Sequence, residues 1–180
     1  MATVEFESAL AYALNAIGRK DLKLKDEQER AIRYLYDGED VFLWLPTGFG
    51  KSLCYECLPF LFDCRLGRTG APASRSTVLV VSPLVSLMTD QVSSLWERGV
   101  SAAILSSHEL CDKSLLATDK ALQTPGMFSL LFASPEAVIG ATKCRERVLD
   151  FPLTERIVAV AVDKVYCVSK WYVSVKLCIL

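Results

Sequence analysis

Hydrophobic residues along the chain fall into two patterns, one with helical spacing and one of short uninterrupted runs. Helical spacing predicts helices at 5–17 and 26–36, which Gly18 and Gly38 end, and further helices at 51–62, 82–98 and 109–122. Apolar runs of strand length predict strands at 41–45, 77–81, 102–105, 127–133 and 157–162. Strands that alternate with helices predict an α/β fold, in which helices flank a parallel sheet.

Composition narrows the class of protein. Hydrophobic residues make up 52% of the 180 residues and the mean hydropathy is +0.30, values typical of strands buried on both faces. The formal net charge of −1 excludes a global basic surface for nucleic acid, so any such contact is expected to be local. The start has no secretory pattern, and no apolar run reaches the roughly 18 residues of a membrane span. We therefore expect an intracellular protein, neither secreted nor membrane-bound.

Cysteine usage leaves two interpretations open. The seven cysteines are odd in number and irregular in spacing, which argues against a disulfide framework. Cys54 and Cys57 form a C-x-x-C pair with Cys64 nearby, but a zinc site would need a second close pair. The alternative is that Cys54 and Cys57 share one helix face as small buried hydrophobes.

A phosphate-binding P-loop is the strongest motif in the chain. Residues 45–52 read Leu-Pro-Thr-Gly-Phe-Gly-Lys-Ser and lie between a predicted strand and a predicted helix. A turn of this kind aims successive backbone N–H groups, together with the helix N-terminus, at an anion. Gly48 and Gly50 let the backbone approach phosphate without a Cβ in the way.

The remaining loop residues supply charge and a metal ligand. Lys51 is placed for the β- and γ-phosphates of a nucleoside triphosphate, and the Ser52 hydroxyl for Mg²⁺, while Thr47 belongs to the same loop. The strict pattern opens with Gly, and Leu45 stands there instead. The sequence therefore predicts ATP and Mg²⁺ as ligands.

Several segments in order resemble the RecQ family of superfamily 2 DNA helicases. The family's motifs 0, I, Ia, Ib and II correspond here to 24–28, 45–55, 80–92, 134–136 and 162–171. The resemblance covers residues 22–171 and implies the first RecA-like domain of an ATP-driven 3′-to-5′ DNA helicase. It implies a role in DNA repair and recombination, with a nuclear location in a eukaryote and a cytoplasmic one otherwise.

The resemblance also implies roles for four side chains. Gln28 and Lys25 occupy the positions that read adenine in the family, with an ordinary solvated helix start as the alternative. Ser86 and Ser134 occupy positions in motifs Ia and Ib that touch the backbone of single-stranded or partly duplex DNA. Helix capping and packing are the alternative for both serines.

Motif II departs from the family's Asp-Glu-Ala-His. Asp163 remains and can hold Mg²⁺ through water, but Lys164, Val165 and Tyr166 follow it. Lys164 stands where the family has the glutamate that orients and deprotonates the attacking water. A lysine of reference pKa about 10.4 is protonated at neutral pH and cannot accept that proton. Losing a general base typically costs about 10²- to 10⁴-fold in rate, so no catalytic residue is expected to be intact.

The end of the sequence is a second departure. After an N-terminal helix and linker at 1–21 and the RecA-like region at 22–171, an apolar tail at 172–180 does not resemble the family's continuation. The family's motifs III to VI and its second RecA-like domain do not follow. We expect this tail to be strand-like, with nothing after it to pair with and a tendency to aggregate.

Three functions remain open from the sequence. The first is an incomplete RecQ-like domain that binds ATP and DNA but neither hydrolyses ATP nor unwinds DNA. The second is a non-enzymatic pseudo-helicase module that binds DNA or a helicase partner, and the third is a small P-loop kinase. The kinase gives no role to the segments at 82–87 and 163–171. The single histidine, His108, lies in a predicted loop and is expected to be a surface residue.

Overall fold

The computed structural model describes residues 5–69, 76–105, 113–124, 126–139, 146, 153–163 and 177–179. The helices in these ranges are α1 (Phe6–Ala16), α2 (Asp26–Asp37), α3 (Ser52–Glu56), α4 (Leu58–Arg65), α5 (Val85–Glu97), α6 (Asp119–Gln123) and α7 (Pro135–Ile139). The strands are β1 (Val41–Phe42), β2 (Thr77–Val81), β3 (Ala102–Leu105), β4 (Leu130–Ala133), β5 (Ile157–Val162) and β6 (Leu177–Ile179). Short 3₁₀ turns cover Lys113–Leu115 and Thr154–Arg156.

The six strands form one sheet in the order β1-β6-β5-β2-β4-β3, and every neighbouring pair is parallel. In the central register Val80 lies between Phe132 of β4 and Ala161 of β5. The predicted α/β fold with a parallel sheet is confirmed. Because all strands run the same way, their carboxyl ends meet at one edge, where such sheets bind ligands.

Strands β2, β3 and β4 are buried along their whole length, as their unbroken apolar sequences predict. Alternate residues of β2 enter two separate cores. Val78 and Val80 face the core shared with α1 to α5, whereas Leu79 and Val81 face the opposite core. A period of two along β2 therefore places a hydrophobic layer on each side of the sheet.

The helices predicted at 51–62 and 82–98 differ from those in the structure. The helix expected at 51–62 is divided into α3 and α4 at Cys57, because Pro59 has no N–H to continue the hydrogen-bond ladder. The helix expected from Ser82 begins instead at Val85, with extended Leu84 at its N-cap. Although Ser82-Pro83 resembles the start of a helix, Ser82 does not cap α5, and its hydroxyl is buried with no hydrogen-bond partner in the described residues.

Three further predicted elements differ in extent from those in the structure. The helix expected at 109–122 is not continuous. Its described part holds a 3₁₀ turn, a single parallel bridge from Leu116 to Ile104, and only then α6. The strands expected at 41–45 and 127–133 are shorter, because hydrogen-bonded pairing covers only β1 and β4.

The tail at 172–180 contradicts one expectation and supports another. Its strand character is confirmed at 177–179, but the expected lack of a pairing partner is wrong. β6 lies between β1 and β5, with Cys178 in register with Val41 on one side and Ala161 on the other. Without β6, both neighbouring strands would present unpaired backbone groups in the middle of the sheet, which is costly. No helix in the described ranges is long and apolar enough to cross a membrane.

Candidate nucleotide-binding site

The P-loop at 45–52 connects the end of β1 to the start of α3, at the carboxyl edge of the sheet. Gly48 and Gly50 have φ angles of +82° and +86°, a backbone region that glycine adopts without strain. A Cβ on Gly50 would lie 2.8 Å from the Gln28 Nε2, whereas a Cβ on Gly48 would meet nothing within 4 Å. Both glycines shape the loop, but only Gly50 also makes room for a neighbouring side chain.

Lys51 folds back over its own loop. Its ammonium donates to the carbonyl of Leu45 at 3.0 Å and to that of Pro46 at 3.3 Å. Ser52 is the first residue of α3 and is half-buried, while Thr47 is exposed on the loop. The structure therefore brings a fixed positive charge, a hydroxyl and the loop backbone together at one anion-binding edge.

The N-terminus of α2 is fastened to the P-loop by Gln28. This side chain is buried, and its amide nitrogen donates to the carbonyl of Phe49 at 3.1 Å and to that of Gly50 at 3.0 Å. Its amide oxygen accepts the backbone N–H of Lys25 at 2.9 Å. Motif 0 and motif I are thus in direct contact, and both amide N–H donors of Gln28 go to loop carbonyls.

Lys25 reaches the same loop residue from the exposed side. Its ammonium lies 3.7 Å from the centroid of the Phe49 ring and 3.4 Å from the Phe49 carbonyl. A cation this close to an aromatic face is attracted by the ring quadrupole. Sequence reasoning missed Phe49, although a single aromatic residue between the two loop glycines was a signal.

Asp163 lies at the same edge of the sheet as the P-loop. It follows β5 directly, is half-buried, and its backbone N–H donates to the Val81 carbonyl at 2.9 Å. β6 separates β5 from β1, so the two strands stand roughly 10 Å apart at two strand spacings. Lys164, Val165 and Tyr166 lie outside the described residues, as does His108.

Two serines directly follow strands β2 and β4, and a third lies in the first turn of α5. The Ser82 N–H donates to the Ala133 carbonyl at 3.0 Å, which places Ser82 beside the start of α7. The Ser134 hydroxyl accepts the Ala137 N–H at 3.2 Å and so caps α7. Ser86 is exposed in the first turn of α5. Of the two serines predicted from motifs Ia and Ib, Ser134 therefore has the capping role that was its alternative.

The helices behind the P-loop hold buried thiols. Cys54 and Cys57 are fully buried in the core, which confirms their interpretation as small hydrophobes. Burial raises the pKa of Cys54 to about 12 and that of Cys57 well above its ordinary value. Both are therefore neutral thiols at physiological pH.

A buried ion pair anchors α3 to the rest of the domain. Arg98 donates to the Glu56 carboxylate at 2.9 Å, and the two side chains are only 17% and 10% exposed. The same guanidinium also donates to the carbonyls of Ile17 and Ser94. Sequence reasoning did not identify this pair, because its members are 42 residues apart and belong to no motif. It ties the helix that carries Ser52 to the ends of α1 and α5.

Comparison with known proteins points to one family. A family model described as DEAD/DEAH box helicase matches residues 25–176. The chain is 32% identical to the ATP-dependent helicase SGS1 of Saccharomyces cerevisiae, over 82% of this chain and 10% of that protein. It is 35% identical to the ATP-dependent DNA helicase Q1 of Rattus norvegicus, over 74% of this chain and 20% of that protein.

A further relative and a solved helicase structure also match most of this chain. The ATP-dependent DNA helicase RecQ of Haemophilus influenzae is 29% identical over 93% of this chain and 24% of its own length. A crystal structure of the DUF1998 helicase MrfA bound to DNA and AMPPNP superimposes with a TM-score of 0.60 at 17% identity, over 91% of this chain and 21% of that one. The chain thus spans between a tenth and a quarter of the length of these relatives.

Proposed function

The chain belongs to the DEAD/DEAH box helicase family as a RecQ-type helicase domain, and on that premise we propose that its 180 residues bind ATP, Mg²⁺ and DNA without hydrolysing ATP or unwinding DNA. The observation that carries the ATP proposal is the P-loop, where Lys51, Ser52 and two glycines of positive φ converge at the carboxyl edge of a parallel sheet. We further propose that the protein acts in the nucleus if its source is a eukaryote.

The loop residues would contact the triphosphate in different ways. The backbone N–H groups at 47–52 and the Lys51 ammonium neutralise the phosphate oxygens, and Gly48 and Gly50 keep the approach open. Lys51 exchanges its bonds to two loop carbonyls for stronger charge-assisted bonds to phosphate. Lys25 and Gln28, at the N-terminus of α2, lie at the end of the site where the family resemblance places adenine.

The residues at this edge suit magnesium. Ser52 offers a hydroxyl and Asp163 a carboxylate, and hard oxygen donors are what Mg²⁺ prefers. Ser52 would hold the ion directly and Asp163 through water, across the gap set by β6. When bound, Mg²⁺ neutralises charge on the β- and γ-phosphates.

Lys164 is the reason to expect no hydrolysis. It follows Asp163 at the position of the family's water-activating glutamate, and a protonated ammonium cannot take a proton from water. The same charge disfavours a metal ion beside it. We propose that nucleotide bound to these residues is held rather than turned over.

DNA contact is proposed at the ends of β2 and β4. Ser86 is exposed in the first turn of α5. The Ser134 hydroxyl accepts the Ala137 N–H at the start of α7 but still has its own O–H to donate, so capping and a contact to phosphate are compatible. Hydroxyls and helix N-termini are common contacts to DNA phosphates. A net charge of −1 agrees with a local contact of modest strength.

The ATP proposal is tested by titrating a ribose-labelled fluorescent ATP analogue against the chain, Lys51→Ala and Lys120→Ala. We expect Lys51→Ala to weaken binding at least about tenfold, since removing a charge-assisted hydrogen bond costs about 1.5–3 kcal/mol. Lys120 is exposed on α6, whose Leu122 packs in the core on the other face of the sheet from α3, and its variant should bind like the unmodified chain. Equal affinities for all three proteins would show that this loop is not the site.

A non-enzymatic module that binds DNA or a helicase partner is the second candidate, and Lys164 is the observation that favours it. The two candidates differ in whether ATP matters. Single-stranded DNA binding that is unchanged by ATP, and unchanged by Lys51→Ala, would favour the module. The kinase alternative is set aside by the family match.

A further inference from the structure

A buried hydroxyl at the carboxyl edge of the sheet carries an inference about the magnesium half of the site. Ser82 directly follows β2 and is fully buried, yet its Oγ has no hydrogen-bond partner within the described part of the chain. A buried polar group without a bond costs free energy, so such groups are few in folded proteins and each needs a physical explanation. A partner that the hydroxyl meets only when the site is occupied supplies one.

The backbone of Ser82 is held beside that of Asp163. Val81 is in register with Val162, the last residue of β5, so Ser82 and Asp163 come next on two neighbouring strands. The Asp163 N–H donates to the Val81 carbonyl at 2.9 Å, and the Ser82 N–H donates to the Ala133 carbonyl at 3.0 Å. Because neighbouring strands lie about 4.8 Å apart, a serine hydroxyl and a carboxylate at these positions are close enough to hydrogen-bond.

The sheet order places Ser82 behind Asp163 as seen from the P-loop. β5, which Asp163 follows, lies between β1, which leads into the P-loop, and β2, which leads into Ser82. A hydroxyl can donate one hydrogen bond, and an ionised carboxylate can only accept. Carboxylates that hold metal ions are commonly hydrogen-bonded from behind by a residue that orients them. Ser82 can therefore donate to Asp163 without competing for the metal.

We propose that Ser82 is a positioning residue, whose hydroxyl donates to the Asp163 carboxylate and orients it toward the P-loop when nucleotide and Mg²⁺ are bound. The inference rests on the proposed magnesium site and deepens it by one residue. It gives the buried start of the segment at 80–92 a role at the nucleotide, separate from the DNA contact proposed for Ser86. The unpaired hydroxyl of the unliganded chain is then a group arranged for the bound one.

The test is the affinity of the ribose-labelled ATP analogue over a range of MgCl₂ concentrations, with EDTA as the baseline. Ser82→Ala should need about tenfold more Mg²⁺ for the same gain in affinity, because losing a residue that orients a metal ligand typically lowers metal affinity by about 10- to 100-fold. Affinity in EDTA should be unchanged. In an Asp163→Ala background, Ser82→Ala should have no further effect, because the hydroxyl acts through that carboxylate.

Urea denaturation without nucleotide separates positioning from a structural role. Ser82→Ala should leave the midpoint unchanged or raise it, because no hydrogen bond is lost and an unpaired buried group is removed. Ser76→Ala is the matched control, since Ser76 is also fully buried but its hydroxyl donates to Asp63 at 2.6 Å. It should lower the midpoint and leave the Mg²⁺ requirement unchanged. An equal loss of stability in both variants would overturn the inference.

The outcomes distinguish this inference from the ATP proposal. Binding that depends on Lys51 and on Mg²⁺, with the same Mg²⁺ requirement in Ser82→Ala, would overturn the inference alone. So would a further effect of Ser82→Ala in the Asp163→Ala background. Binding that depends on Lys51 but not on Mg²⁺ would overturn the inference and the magnesium site together. Absence of any Lys51-dependent binding would overturn the ATP proposal as well.

Discussion

The two halves of the candidate site differ in how they are built and in what they retain. The P-loop half is fastened by several contacts, from Gln28 and Lys25 on one side and from the buried Glu56–Arg98 pair behind α3. It keeps Gly48, Gly50, Lys51 and Ser52 of the P-loop pattern, although Leu45 replaces the first glycine. The motif II half keeps Asp163 at the end of β5, and we propose that Lys164 stands where the family has the carboxylate that hydrolysis needs.

On the proposed function, binding and hydrolysis depend on separable groups. Phosphate is bound by backbone N–H groups and one ammonium, which the fold positions wherever a strand, a glycine turn and a helix follow one another. Hydrolysis needs in addition one group of suitable pKa at one place. A single substitution can therefore remove turnover and leave the fold and the phosphate site in place.

The largest expected effect comes from moving motif II into a complete relative. In a full-length relative that carries the family's Asp-Glu-Ala-His motif, replacing the glutamate of that motif by lysine should lower ATP hydrolysis by about 10²- to 10⁴-fold. ATP binding by that variant should persist. Phosphate release and nucleotide binding are measured side by side.

The matched control for that transfer changes the alanine of the same motif to valine, as at Val165 here. Valine carries no charge and removes no base, so turnover should stay close to that of the unmodified enzyme. If the lysine variant hydrolysed ATP at the rate of the unmodified enzyme, Lys164 would be compatible with hydrolysis. The proposed difference between the two halves of the site would then be wrong.

The second largest expected effect is the loss of stability when the Glu56–Arg98 ion pair behind the P-loop is broken. Arg98→Met leaves the Glu56 carboxylate buried without its partner, and should lower the free energy of unfolding by about 3–5 kcal/mol. Glu56→Gln combined with Arg98→Met should recover much of that loss, because no uncompensated charge remains. Urea denaturation measures both.

Arg33→Met is the matched control for the buried pair. Arg33 pairs with Glu7 at 2.8 Å, but both side chains are exposed, so solvent screens their attraction. We expect no clear change in the denaturation midpoint. Equal destabilisation by Arg33→Met and Arg98→Met would contradict the claim that the buried pair contributes more to stability than the exposed pair.

Alanine substitutions at the two loop glycines should differ in their cost to stability. Gly48→Ala should cost roughly 1–2 kcal/mol of unfolding free energy, because its φ of +82° is strained for alanine. Gly50→Ala should cost more, since its Cβ would also lie 2.8 Å from the Gln28 amide nitrogen. Gly50→Ala with Gln28→Ala removes that clash, so the added cost should disappear. Equal costs for the two single variants would contradict the close contact between α2 and the loop.

The smallest expected effect is a dependence on pH at the buried thiols. Burial raises the pKa of Cys54 to about 12, from an ordinary value near 9.0, so the folded chain retains a proton that the unfolded chain loses. Stability is therefore complete below about pH 9 and falls as pH rises toward 12. Urea denaturation at pH 7.5, 9 and 10.5 should show a decline that is shallower in Cys54→Ala. An identical decline in both proteins would assign it to other groups.

Local patterns in the sequence were enough to predict the parallel sheet and the P-loop. Val78 and its neighbours form an unbroken apolar run, and the two loop glycines have the positive φ angles that an anion-binding turn requires. Local sequence also placed the ends of α1 and α2, because Gly18 and Gly38 adopt left-handed conformations there. These features depend on neighbours in the chain, so they can be read one segment at a time.

Features that depend on distant partners could not be predicted in this way. The placement of β6 between β1 and β5 follows from the backbone groups that those strands leave open, not from the tail's own sequence. The Lys25–Phe49 contact and the Glu56–Arg98 pair join residues that no motif connects. The start of α5 was misplaced because Ser82-Pro83 resembles a helix cap, whereas Ser82 is held at the end of β2 by its bond to Ala133.

The central claim is that the chain holds ATP without turning it over, and equilibrium dialysis tests it most directly. The 180-residue chain is dialysed against radiolabelled ATP with Mg²⁺ and single-stranded DNA, and the nucleotide on the protein side is identified by chromatography. Lys51→Ala provides the baseline for nucleotide that is not bound at the loop. We expect an excess of nucleotide over that baseline, recovered as intact ATP. An excess recovered as ADP, or no excess at all, would contradict it.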